Sequence, residues 1–380
     1  MPKTLRVIFF GAGFSSPAGL PLGTDLFDAV RKSLADEHGR DNHVERDLAR
    51  YVEYLDSCEG GSHDPRRIDY EQLLTFLDVE HYLRLKGKGT WSDEGNESQL
   101  MLRQSIARVL LHRMPGKSPA LYQAFARRLD TADMVFTFNY DTLLEQALDE
   151  TGIPYRLFPD RFTEIHWSWA TTDNSLSEVV VLKLHGSIDW FDRGVYERRQ
   201  AEAKVCPTPY EVKHPLFGED PISEAIPLTD GPRPNGDPLA NIYRVKNPSL
   251  LLNRGFWECC PLILAPSHTK LFYAQPLKEF WWGLQRMGGL NLGLSVVGYS
   301  LPPYDAYARQ ALYHIFSNYA GYEPDLEYEG RKKRPIRILD FRPPADSGTE
   351  IRARYRFADW RRTELRLDGF SADSLEWLME

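Results

Sequence analysis

Five short apolar runs, each ending in a polar or glycine-bearing turn, constrain the fold of this chain more than any other feature. They are Leu5 to Phe10, Met134 to Phe138, Val179 to Leu184, Leu292 to Val297 and Pro335 to Phe341. Their β-branched and aromatic residues follow one another almost without polar interruption, as in parallel strands buried on both faces. PLILAP, Pro261 to Pro266, offers a sixth run. Helical periodicity fills much of the space between them. Tyr70, Leu73, Leu74 and Leu77 fall at i, i+3, i+4 and i+7; Leu102, Ile106, Val109 and Leu110 repeat the pattern, as do Ala308, Ala311, Leu312 and Ile315. Strands alternating with helices imply an α/β fold, a Rossmann-like parallel sheet with helices on both faces.

Two long interruptions separate the runs. At 380 residues the chain has room for one large α/β domain with insertions, or for two ordinary domains. Residues from about 36 to 130 are mostly helical in pattern and form an insertion. Residues from about 192 to 258 are rich in proline and glycine, a loop insertion not expected to sustain long helices. The main domain is expected over residues 1–345, with 346–380 a C-terminal extension. Its stretch RARYRFADWRRTELRL interleaves arginines with aromatics, which suits a solvated strand or helix, or an assembly contact.

The formal net charge of -8 argues against general affinity for nucleic acid or for an anionic membrane. No segment approaches the roughly 20 apolar residues that span a bilayer. Cys58, Cys206, Cys259 and Cys260 contain no C-x-x-C pair, so no zinc module is expected and a reducing cytoplasm fits best. Lys3 and Arg6 precede an apolar run that breaks at Gly11 without a cleavage site, which reads as a first strand and not a signal peptide.

Ligands of open α/β sheets bind outside the carboxyl ends of the strands. After the first run comes GAGFSS, where Gly11 and Gly13 let the backbone approach a pyrophosphate and a helix starting near Thr24 or Asp25 aims its positive end there. The third glycine, Gly19, is three positions late for G-x-G-x-x-G, so an ordinary turn fits too. After the second run, Thr142 and Glu145 read as a capping box for a helix from Leu143, placing Asn139 and Asp141 on the elbow. Asp141 is equally explained as part of a cap. After the third run, His185 beside Gly186 is either a general base or a structural histidine bonding a neighbouring carbonyl. After the fourth, Gly298 and Ser300 can meet a ribose or phosphate, or simply form a turn before a helix begun by Asp305.

These motifs, in this order, resemble the sirtuin-like NAD-consuming enzymes, above all the bacterial branch associated with anti-phage defence. GAGFSSPAGLP is similar to the sirtuin Gly-Ala-Gly, Ser and later Ala-Gly-Ile-Pro, TFNYD to Thr-Gln-Asn-Ile-Asp, and LHGS to His-Gly-Ser. VVGYSLPPYD resembles the late strand and elbow of the bacterial branch. The likeness extends to about residue 305. Two departures weigh against protein deacylation: the paired C-x-x-C zinc module is missing, and Leu22, Gly23 and Thr24 stand where deacylases carry Asp-Phe-Arg.

The resemblance implies an NAD+ glycohydrolase that releases nicotinamide and ADP-ribose, with NAD+ as substrate and no metal. It implies His185 as general base, Asn139 positioning water and the nicotinamide ribose, and Asp141 orienting the same loop. Gly11, Ala12, Gly13 and Ser15 would cradle the pyrophosphate, with Gly298 and Ser300 on the adenosine side. Its other implications are a homo-oligomer and control by a separate HerA-type ATPase. An NAD- or ADP-ribose-binding module without turnover, a protein deacylase and an ADP-ribosyltransferase are the alternatives.

Overall fold

The apolar runs pair into a seven-stranded sheet in which every neighbour is parallel. The computed structural model describes residues 6–85, 94–158, 160–167, 169–173, 177–252, 260–264, 267, 269, 273–281, 284, 287–322, 326–328, 330–343 and 345–380, the side chains of Thr24 and Tyr328 excepted. Among the features read above, Lys3, Leu5, Cys259, Ala265, Pro266 and the segments 86–93 and 253–258 of the two insertions lie outside the described residues.

The strands are β1 (Arg6–Phe10), β2 (Met134–Thr137), β3 (Tyr155–Arg156), β4 (Val179–Lys183), β5 (Gly293–Val297), β6 (Ile336–Leu339) and β7 (Thr363–Arg366), in the order β7-β6-β5-β1-β2-β4-β3. All five expected strands are present. Register aligns Phe10 with both Val297 and Thr137, Thr137 with Lys183, and Val297 with Leu339. The loops that follow these residues therefore emerge along one edge of the sheet. Phe9, Phe136, Val181, Val296 and Ile338 are buried in a single core, and Phe9 stacks on Phe136 at 4.9 Å.

α1 (Gly23–His38) precedes the helical insertion, which holds α2 (His43–Glu59), α3 (Tyr70–Tyr82), α4 (Glu97–Arg113) and α5 (Ala120–Arg128). Asn42 caps α2 and an Asn96–Gln99 capping box opens α4. Val30 of α1 with Leu48, Leu77 and Leu102 of the insertion form a second core, and Leu26 and Ile106 pack on both this core and that of the sheet. Then come α6 (Leu143–Thr151), α7 (Arg193–Val205), α8 (Ala306–Gly321) and α9 (Ala372–Met379). Among the described residues no helix is long and apolar enough to cross a membrane.

Four expectations are corrected. The 192–258 insertion opens with the 13-residue α7, because RGVYERRQAEAKV precedes the first proline and the Asp192 side chain accepts the Gly194 N–H. Part of the remainder pairs, Ala225–Pro227 and Ile242–Val245 forming a three-stranded antiparallel sheet with Trp190–Asp192. PLILAP is not a strand of the main sheet: Ile263 makes one isolated antiparallel bridge to Gly186. Thr142 makes no side-chain cap; Asp141 Oδ1 accepts the Leu143 N–H at 3.1 Å instead, and Glu145 turns inward to Lys183. Finally, 346–380 is integrated into the fold. It supplies β7, paired with β6, and α9, whose Leu375, Leu378 and Met379 enter the main core.

Candidate active site

The chain runs from β1 to β2, out to the edge strand β3 and back to β4 between them, then crosses to β5 on the other flank of β1. That reversal opens a crevice at the carboxyl ends of the strands. A cavity of about 630 Å³ lies there, and Gly11, Ala12, Gly13, Ser15, Asn139, Asp141, His185, Gly298 and Ser300 all line it. Every residue expected at the site is thus brought to one place by the common strand register.

The glycines of the first loop are required by the fold itself. A Cβ on Gly13 would lie 2.6 Å from Gly298 Cα, and one on Gly11 would lie 2.6 Å from Gly298 O. Gly298, at φ +64°, is equally closed, with Gly13 C and Phe14 N only 2.3 Å from its hypothetical Cβ. Gly11 N–H donates to Val297 O and Gly13 N–H to Gly298 O. These glycines let two loops interlock, which forms the floor of the cavity. The short helical turn Ala12–Ser15 follows at once, nearer than the α1 start expected to serve the loop.

Asn139 is buried and bridges this floor to the β2 elbow. Its Nδ2 donates to Gly11 O at 3.0 Å and to Ser15 Oγ at 3.1 Å. Asp141 holds the start of α6 through Leu143 N–H, so its capping role is real, while its side chain also faces the cavity.

His185 is nearly fully buried, and its Nε2 lies 3.1 Å from Asp305 Oδ2. The same oxygen accepts the Tyr299 hydroxyl at 2.7 Å. Phe138 stacks on Tyr299 at 4.1 Å and packs on His185 at 5.1 Å, and Trp281 closes the other side at 6.2 Å. The segment Leu262–Leu264 crosses over the turn: Leu264 N–H donates to His185 O, Ser187 N–H to Leu262 O, and the Tyr140 hydroxyl to Leu264 O. Gly186, at φ +79°, makes room for this crossing, since a Cβ there would meet Leu262 O at 2.1 Å. Its openness thus serves this segment.

Beyond β5 and β6, Arg354 Nη1 donates to Ser300 O at 3.0 Å, and Arg342 contacts both Asp340 at 3.2 Å and Glu350 at 3.1 Å. Burial raises the Asp340 carboxyl above its ordinary range, with Arg342 opposing the shift. Burial, followed by nearby carboxylates or phenols, likewise keeps the Tyr70, Tyr140 and Tyr299 hydroxyls well above their usual titration, so each remains a neutral donor. Glu71, Asp141 and Asp305 line the cavity together with His185 and these neutral phenols, a lining suited to a cationic group.

Sequence reasoning missed Glu71, Tyr70, Asp340, Arg342 and Arg354 as cavity residues and read Asp305 only as a helix start. Asp340 directly follows β6 but falls inside the run expected over Pro335 to Phe341, so reading that strand two residues too long hid it. Glu71 and Tyr70 arrive from the helical insertion, whose packing against the sheet edge leaves no local signal. Among the described residues, no group of three or more His, Cys, Asp or Glu side chains is arranged to hold a metal.

A family model described as a SIR2-like domain matches residues 133–216, the segment that carries Asn139, Asp141 and His185. No curated protein matches. Among solved structures, one described as "Structural Basis for the Mechanism and Regulation of Sir2 Enzymes" is 15% identical, covering 98% of this chain and 90% of its own, with a TM-score of 0.34. "The Structural basis of Sirtuin Substrate Affinity" is 12% identical, covering 99% and 93%, with a TM-score of 0.28. "Structure of Sir2Tm bound to a propionylated peptide" is 12% identical, covering 99% and 92%, with a TM-score of 0.27.

Proposed function

We propose that the chain is an NAD+ glycohydrolase, cleaving the bond between nicotinamide and ribose. The observation that carries this reading is the convergence of the loops after β1, β2, β4, β5 and β6 on one cavity. Asn139, the His185–Asp305 pair, Ser300 and Asp340 all line it. The cavity suits a dinucleotide, with the nicotinamide ribose beside His185 and the adenosine beside Ser300. Gly11, Ala12, Gly13 and Ser15 face the pyrophosphate between them.

The chemistry follows from the leaving group. The C1′–N bond of the cationic pyridinium breaks, its electron pair returns to the ring nitrogen, and neutral nicotinamide departs from an oxocarbenium-like ribose. Asp141 and Asp305 favour that positive charge electrostatically. Water held near Asn139 adds to C1′ as His185, oriented by Asp305, takes its proton and passes it to solvent. NAD+ and water give nicotinamide, ADP-ribose and one proton.

In a cell such an activity would deplete NAD+. The resemblance to the anti-phage branch supports a defence role, cytoplasmic and homo-oligomeric, with a HerA-type ATPase as separate controller. Incubation of the purified protein with NAD+ and separation of products tests the enzymatic reading. Nicotinamide and ADP-ribose in equal amounts are expected. Thermal stabilisation by NAD+ with no nicotinamide released would instead define a binding module, and product formation only with an acylated peptide would define a deacylase. Label appearing on a protein or nucleic-acid acceptor would define an ADP-ribosyltransferase. Size-exclusion chromatography, alone and after co-expression with an adjacent ATPase, tests the assembly.

A further inference from the structure

The last residue of β4 is a lysine with no solvent exposure, in a strand whose every other residue is apolar and buried. The Lys183 ammonium donates to the backbone carbonyl of Asp141 and to Glu145 Oε1, the latter at 2.8 Å. Glu145 sits in the first turn of α6, also buried; burial raises its carboxyl, and Lys183 opposes the rise. An apolar residue at 183 would complete the strand without burying a charge, and isolated buried ion pairs are poor sources of stability. The pair therefore calls for a role other than stability, and its geometry supplies one. Lys183 grips the β2 elbow at Asp141, two residues beyond Asn139, from directly beneath the strand end that delivers His185.

We infer that Lys183 is a positioning residue, which holds the Asn139–Asp141 elbow against the Gly11–Ser15 loop so that Asn139 keeps its place in the cavity. The inference rests on the proposed activity only for its kinetic consequence. Its structural content concerns two amides of the elbow, Asn139 N–H bonded to Thr137 Oγ1 and Leu143 N–H bonded to Asp141 Oδ1.

The test replaces the pair by apolar residues, Lys183→Met with Glu145→Leu, a change that removes both charges together and so leaves neither stranded. In ligand-free protein, hydrogen exchange at Asn139 and Leu143 is expected to accelerate at least tenfold, with Phe9 in β1 unchanged. With NAD+, kcat for nicotinamide release is expected to fall at least tenfold while KM moves less than threefold. Lys183→Gln with Glu145→Gln, which retains a donor toward Asp141 O and strands no charge, should recover part of both losses, and it also serves if the apolar double variant does not fold. Unchanged exchange at the elbow, or equal acceleration in β1, overturns the positioning role. Wild-type protein that releases no nicotinamide overturns the proposed activity alone, and the exchange rates then decide the role of Lys183 by themselves.

Discussion

His185 Nε2 lies 3.1 Å from Asp305 Oδ2, joining the end of one strand to the N-cap of a helix far along the chain. Asp305 is fully buried, accepts the Tyr299 hydroxyl through Oδ2, and caps α8 by accepting the Ala308 N–H through Oδ1 at 3.3 Å. One carboxylate thus sets both the ring and the helix start.

Asp305→Asn keeps the shape and a capping oxygen but removes the charge that orients His185. The expected loss is about a hundredfold in kcat for nicotinamide release, with a stability cost of about 1–2 kcal/mol. Steady-state kinetics and thermal unfolding check the two halves separately. Wild-type kcat in a folded variant would remove Asp305 from the mechanism.

Asn139→Ala deletes the donors to Gly11 O and Ser15 Oγ, and His185→Ala deletes the base. Each variant should remain folded by circular dichroism. Loss of a positioned polar group of this kind costs about 3 kcal/mol in the transition state, roughly a hundredfold in rate. If both purified variants consumed NAD+ at the wild-type rate, the assignment would be dead.

Glycine substitutions separate interlock from turn. Gly298→Ala forces a Cβ to 2.3 Å from the Gly13 and Phe14 backbone at positive φ, and should destabilise the protein by about 3–5 kcal/mol. Gly19 also has positive φ, but nothing lies within 4 Å of its Cβ direction. Gly19→Ala should cost only about 1–2 kcal/mol. Urea unfolding of the two variants gives the comparison, and equal losses would contradict the interlock.

Burial raises the Asp192 carboxyl from 3.8 to about 6, with the Gly194 N–H and Arg198 opposing the shift. The sign follows from proton linkage. Between pH 3.8 and about 6 the unfolded chain ionises while the folded protein stays protonated, so stability falls as pH rises through that window and levels off above it. Asp192→Asn, which retains the oxygen that caps α7, should stabilise the protein at pH 7.5 by about 1–3 kcal/mol. At pH 4.5 the gain should be far smaller. A gain that is the same at both pH values would count against an ionised buried Asp192.

Much of the site was legible as sequence because parallel strands buried on both faces must be short and apolar, and their ends announce themselves by a change to Gly, Asn or His. That logic points from sequence alone to Gly11, Asn139, His185 and Gly298, which line the cavity. It misread residues whose local pattern fits two roles. Thr142 and Glu145 have capping-box spacing, yet the buried Lys183 ammonium draws Glu145 inward, and only the sheet brings those two together. The tail read as an extension because its charges mask β7, which pairs with β6, and Phe370, which packs on Phe14 just before α9.

The GAGFSS loop shows the same division. Its composition announces a place where backbones approach closely, since glycine is what close approach requires. The identity of the approaching backbone, Gly298 just after β5 and far along the chain, follows from strand order and register. So does the meeting of Asp305 with His185, because hydrogen bonds between residues distant in sequence leave no periodicity to read.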